Sequence, residues 1–143
     1  MIDLMSWSEC EREFVRKVEI DEERVKSIEK KAFQRLKRAR NTKIDMDSIS
    51  FIVEDYYEVI KELLVAYLLK NGLRSKNHQC LISYFYKNNP DYEQEVNLIS
   101  QMSFFRNRLN YYGEDIPFEF YEKNKKNMEK VVKILRKFIL KGD

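Results

Sequence analysis

An all-α fold is expected from this sequence: an antiparallel up-and-down bundle of four to five main helices, with a short N-terminal helix. Three observations predict it. Only three glycines and two prolines interrupt 143 residues, too few for the many turns of a sheet protein. Glu, Lys, Leu, Ile and Arg are abundant, and these side chains suit helices. Apolar residues recur at steps of three and four, the period of an amphipathic helix. A chain of this length fits one core and buries roughly 70% of its unfolded surface. Residues 1–143 are therefore read as one domain, an arm over 1–18 and a bundle over 21–140.

The bulk properties also exclude. The longest apolar run, Leu63-Leu64-Val65-Ala66 with Tyr67-Leu68-Leu69 after it, is far short of the ~20 residues that cross a bilayer. The start, Met1-Ile2-Asp3, lacks the basic and apolar segments of a secretory signal, so a cytoplasmic location is expected. Cys10 and Cys80 lack CxxC spacing, and the lone His78 cannot complete a zinc site with them. They read first as small, semi-buried thiols in a reducing cytosol, with a redox role or a disulfide as the alternatives. No metal and no cofactor are expected. A net charge of +3 does not mark a nucleic-acid binder, so local clusters must be weighed instead.

In chain order, the first segment, Ile2 to Val18, carries Leu4, Trp7, Phe14 and Val18 on one helical face and predicts a helical arm. Asp21 caps a second helix, with Val25, Ile28, Ala32, Leu36 and Ala39 on one stripe, ending near Asn41. Its basic end, Arg35, Lys37, Arg38, Arg40 and Lys43, either answers the helix dipole or contacts phosphate. A third helix starts after Asp45 or Asp47 and stops at Asn71-Gly72; Ile49, Val53, Tyr56, Ile60, Leu63 and Tyr67 form its stripe. Asp55 and Glu58, one turn apart on it, either sit on a solvated face or meet an arginine from another helix.

Ser75 or Asn77 caps a short fourth helix closed by Asn88-Asn89-Pro90, and His78 falls in its first turn, where the dipole favours the neutral imidazole. Asp91 opens a fifth helix, with Leu98, Met102, Phe105, Leu109 and Tyr112 on its stripe until Gly113. Arg106 lies about 80° from the centre of that stripe, in line with Ser103 and Asn110. Pro117 begins a last helix whose lysines and arginines far outnumber Glu122 and Glu129.

With these helices placed, three stretches resemble a HEPN domain, the helical module found beside minimal nucleotidyltransferases and in the C-terminal part of kanamycin nucleotidyltransferase. One is the second-helix ending Ala32-Phe33-Gln34-Arg35-Leu36. Another runs from Asp55-Tyr56-Tyr57-Glu58 through Gly72 to Asn77-His78-Gln79-Cys80. The third is Arg106-Asn107-Arg108-Leu109-Asn110-Tyr111-Tyr112-Gly113, which is similar to the arginine-asparagine signature of that family's penultimate helix. Nuclease members carry arginine, then four to six residues, then histidine, and at the expected histidine position this chain has Tyr111. An imidazole titrates near 6.5 and a phenol only near 10, at about one part in a thousand ionised at pH 7, so acid-base cleavage is disfavoured.

The resemblance implies a homodimer paired through the fifth helix, a nucleotidyltransferase partner, and a nucleotide or RNA bound by Arg106, Asn107, Asn110 and Tyr111, with Asp55 and Glu58 nearby. On a regular helix Arg106 and Tyr111 point about 140° apart, so a second chain would have to close such a cleft. Two other functions compete. One is a metal-independent ribonuclease toxin of a toxin–antitoxin pair, with His78 or Tyr111 replacing the missing histidine beside Arg106. The other is a structural module in which Arg106 only pairs with Asp55 or Glu58.

Overall fold

A computed structural model describes residues 4–140 and gives the expected all-α helical bundle. In chain order the elements are α1 (Trp7–Glu13), β1 (Val15–Lys17), α2 (Glu22–Asn41), α3 (Ile49–Lys70), β2 (Leu73–Ser75), α4 (His78–Asn88), a 3-10 turn (Pro90–Tyr92), α5 (Glu93–Tyr112) and α6 (Phe118–Leu140). The four long helices, α2, α3, α5 and α6, alternate in direction. Arg35 meets Glu62 and Arg38 meets Asp55, so α2 opposes α3. Tyr56 meets Glu129 and Lys70 meets the Ile139 carbonyl, so α6 runs with α3. Lys130 meets Glu95 and Phe120 meets Phe105, so α5 opposes α6.

The fourth helix departs from simple alternation. Tyr57 contacts His78 while Tyr67 contacts Phe85, so α4 runs parallel to α3. An extended return over residues 71–77 makes this possible. Gly72 takes φ +74°, and a Cβ there would lie 3.2 Å from the Val18 carbonyl oxygen, so only glycine fits the turn without strain. β2 then pairs antiparallel with β1, Arg16 opposite Arg74.

The arm therefore differs from the long helix expected over Ile2 to Val18. Within the described residues, helix covers only Trp7–Glu13, and the chain from Val15 becomes a strand. Its backbone gains partners outside itself. Val18 N–H donates to the Gly72 carbonyl at 2.9 Å, and the Ser75 hydroxyl donates to the Phe14 carbonyl at 2.9 Å. Phe14, placed on the inner face by periodicity, is 44% exposed, while Cys10 takes the buried position. Residues 1–3 lie outside the described part.

The cysteine reading is corrected as well. Cys10 and Cys80 form a disulfide, with Cα atoms 5.5 Å apart and both residues fully buried between α1 and α4. Spacing in sequence carries no trace of this. The pair meets because β1–β2 pairing sets α1 against the start of α4, within the Cα separation a disulfide spans.

α3 is the hub. It buries Ile52, Val53, Val59, Ile60, Leu63, Leu64 and Leu68 at 1% exposure or less, each such side chain being worth roughly 1.5–3 kcal/mol of transfer free energy. Its start is held by Ser48, whose N–H donates to Asp45 Oδ1 at 2.8 Å. The buried Ser50 hydroxyl accepts from Ile116 N–H at 2.8 Å, tying the α5–α6 loop to it. At the other end Tyr67, Phe85 and Tyr92 each pack edge to face with Phe138 or Phe85, apart from a tilted Phe85–Tyr92 pair, with centroids 5.4 to 5.9 Å apart.

Smaller boundary differences have local causes. α3 begins after Ser48, whose side chain makes no capping hydrogen bond, Asn77 caps α4 by accepting from Cys80 N–H at 3.2 Å, and α5 starts at Glu93 because Pro90–Tyr92 forms a 3-10 turn first. Gly113, at φ +64°, ends α5 as expected; its N–H reaches the Leu109 carbonyl and Glu114 N–H reaches that of Arg108.

Candidate functional site

Three helices deliver charged and aromatic side chains to one place. α3 brings Tyr57, Glu58 and Lys61, which share a face at steps of one, three and four. The first turn of α4 brings His78, and α5 brings Ser103, Arg106 and Asn107. The Arg106 guanidinium carbon lies 5.9 Å from the Tyr57 ring centroid, and its Nε lies 3.7 Å from Glu58 Oε2. Lys61 Nζ donates to the other carboxylate oxygen of Glu58 at 2.7 Å. On the far side of the ring, the Tyr57 hydroxyl meets His78 Nδ1 at 3.2 Å.

The electrostatics follow from half-burial. Lys61 and Arg106 face one carboxylate, leaving an excess positive charge when His78 is neutral. Burial first, then the cations Lys61 and Arg106, push the His78 pKa below its ordinary value, and Glu58 opposes them only in part. Burial raises the Tyr57 phenol, against the opposing pull of Ser103 and Arg106. Near neutrality the site therefore holds a neutral imidazole, a neutral phenol, two cations and a carboxylate.

Its hydrogen bonding is incomplete. Arg106 Nε and Glu58 Oε2 are both buried, and neither has a hydrogen-bond partner among the described residues. Arg106 Nη1 donates to the side-chain oxygen of Asn107 at a long 3.3 Å. Beside the cluster, between α4, α5, α6 and the arm, runs an open groove of about 680 Å³, lined by Gln79, Asn97, Gln101, Ser103, Phe104 and Asn107 among others. The side chains of its wall are neutral, and Ser103 and Asn107 are the cluster's residues that line it. Ser100 Oγ, also on the wall, is buried without a partner among the described residues.

Of the residues singled out from sequence, the fold brings together Arg106, Asn107, Glu58 and His78. It separates the others. Asp55 turns to α2 and accepts both nitrogens of the Arg38 fork, at 2.6 and 3.1 Å, instead of meeting Arg106. Asn110 and Tyr111 face solvent, Tyr111 at 73% exposure, because the 140° offset along α5 points Tyr111 away when Arg106 points in. The basic end of α2 is largely neutralised by neighbours: Arg35 by Glu62, Arg38 by Asp55 and Arg40 by Glu129.

Sequence reasoning passed over Tyr57, Lys61 and Ser103. The signal was present for the first two, since Tyr57, Glu58 and Lys61 fall on one helix face; Ser103 was noted only as a neighbour of Arg106 in line along the helix. Among the described residues no group of three His, Cys, Asp or Glu side chains could hold a metal, and no helix is long and apolar enough to cross a membrane. No protein-family model, no curated protein and no solved structure matches the chain.

Proposed function

We propose that this is a HEPN-like helical protein that binds the phosphate of a nucleotide or RNA at Arg106 and acts as a non-catalytic binding and partner-docking module. The observation that carries it is the Arg106–Glu58 pair: two buried, unpartnered charged atoms 3.7 Å apart under an excess of cations. A closed structural ion pair would satisfy these atoms; a guanidinium held loosely beside Lys61 keeps donors for an incoming phosphate oxygen. The neutral groove alongside, with amides and Phe104, suits a nucleobase next to that phosphate.

The outer face of α5 fits the pairing that the HEPN resemblance implies. Phe104 and Tyr111 are 56% and 73% exposed, and with Asn107 they recur at steps of three and four on one side. Two such faces packed about a two-fold axis would give the two chains a shared aromatic seam. A nucleotidyltransferase is the partner class that the same resemblance supports.

A second reading, a metal-independent ribonuclease, rests on His78. Tyr111 is remote, yet His78 reaches Arg106 through Tyr57 and is held neutral, the state a general base requires. Fluorescence titration of labelled oligouridine and of ATP separates the readings. ATP binding that weakens with salt and is lost in Arg106→Ala supports the first. Cleavage of total RNA that vanishes in both His78→Ala and Arg106→Ala would replace it with the second. Neither binding nor cleavage at low salt would leave a structural module.

A further inference from the structure

A separate basic surface lies on another flank of α3, between α2 and α6, and does not depend on the Arg106 reading. Phe33 and Leu36 of α2 and Val132 of α6 floor an open groove of about 500 Å³ there. Arg40, Lys126, Lys130, Lys133 and Arg136 wall it, and Glu129 is the acid among them. That carboxylate is already occupied: it accepts the Arg40 fork at 2.6 and 3.0 Å and the Tyr56 hydroxyl at 2.5 Å. Lys126, Lys133 and Arg136 form no ion pair among the described residues, and Lys130 reaches Glu95 only at 3.6 Å from an exposed position.

Two features make this more than a solvated charge run. The Arg136 guanidinium carbon sits 3.8 Å from the Phe33 ring centroid, so stacking fixes a planar cation at the groove wall. Lys126, Lys130 and Lys133 recur at steps of four and three on one face of α6. At 1.5 Å rise per residue they span about 10 Å, short enough for neighbouring phosphates of one flexible strand to meet them in turn. The geometry points to a track for a single-stranded nucleic-acid backbone in the α2–α6 groove, the lysines and Arg136 on successive phosphates. A recessed wall with an apolar, aromatic floor suits a flexible strand whose bases can turn inward. A flat anionic bilayer meets such a recess poorly.

The test uses the full chain carrying Arg106→Ala, so that the other site is silent and its failure is read separately. Anisotropy of fluorescein-labelled oligouridine is followed over a range of salt. Four contacts predict a log–log salt slope of roughly −3. Adding Lys126→Glu, Lys133→Glu and Arg136→Gln should weaken binding at least about tenfold and flatten that slope towards zero. A control with the same charge change on exposed residues elsewhere, Arg16→Gln, Lys17→Glu and Lys76→Glu, should keep the slope near its original value; circular dichroism checks that both variants fold. The proposal is overturned if both variants lose binding equally, if neither does, or if the groove variant loses only its affinity for phosphatidylserine vesicles.

Discussion

Two arginine–carboxylate–tyrosine groupings flank α3, built from adjacent tyrosines, and they differ in how completely they are satisfied. Around Tyr56, the Arg40 fork, Glu129 and the phenol close on one another at 2.5 to 3.0 Å. Around Tyr57, Arg106 and Glu58 stay 3.7 Å apart with facing atoms unpartnered. Residue types are the same; only geometry separates a clamp from a site. An unpaired buried polar atom costs about 1–3 kcal/mol, so a fold that keeps two of them is spending stability where a ligand could recover it.

The largest effect on this contrast comes from the frame that holds His78. Cys10→Ser with Cys80→Ser should lower unfolding free energy by about 2–5 kcal/mol in urea denaturation. It should also loosen α1 from α4. A double variant as stable as the native chain would mean that the arm does not position the site. The bond also sits uneasily with a reducing cytosol and is chemistry expected of an oxidising compartment or a hyperthermophile's interior.

Next in size is the closed grouping. Tyr56→Phe deletes one charge-assisted hydrogen bond at a buried position and should cost about 1–2 kcal/mol while leaving ATP and oligouridine binding at Arg106 intact. Glu129 is held below the usual carboxylate range chiefly by Arg40, so its contribution is present above the ordinary value near 4.5 and is lost as pH falls through the lowered one. Stability measured in acid should drop less steeply in the Glu129→Gln variant.

In the open grouping the pattern inverts. Arg106→Ala should change stability by less than about 1 kcal/mol, because no short hydrogen bond to Glu58 is lost, yet it should abolish ATP binding. A loss of several kcal/mol with binding unchanged would reclassify Arg106 as structural.

The smallest effect is a titration. The folded pKa of His78 lies below 6.5, so the unfolded chain binds the proton more readily; stability declines as pH drops below 6.5 and levels off under the folded value. Imidazole resonances followed by NMR should show that depressed pKa and an upward move in Arg106→Ala. A value unaffected by the substitution would place His78 outside the field of Arg106.

Much of the fold was legible in residues that act locally. The stripe of α3, the Asp21 and Asn77 caps, and the stops at Gly72 and Gly113 all report backbone geometry within a few positions. Half the site was legible too: Arg106 and Asn107 stood out against an apolar helix, Glu58 was one of two partners offered for Arg106, and His78 one of two substitutes for the missing histidine. Asp55 was misassigned because one helical turn separates it from Glu58, and which of the two meets α5 depends on how α3 is rotated in the bundle.

By itself, then, the sequence determined the helices from α2 onward, their glycine stops and the place of Arg106 at the edge of the α5 stripe, since period, capping and glycine conformation are properties of short segments. Tertiary structure alone decided that Cys10 reaches Cys80, that α4 runs along α3 to bring His78 onto Tyr57, and that Arg40 rather than Arg106 is fully paired. Those outcomes turn on separations of a few ångströms between distant segments, set by the packing of the whole core, and no local pattern encodes such distances.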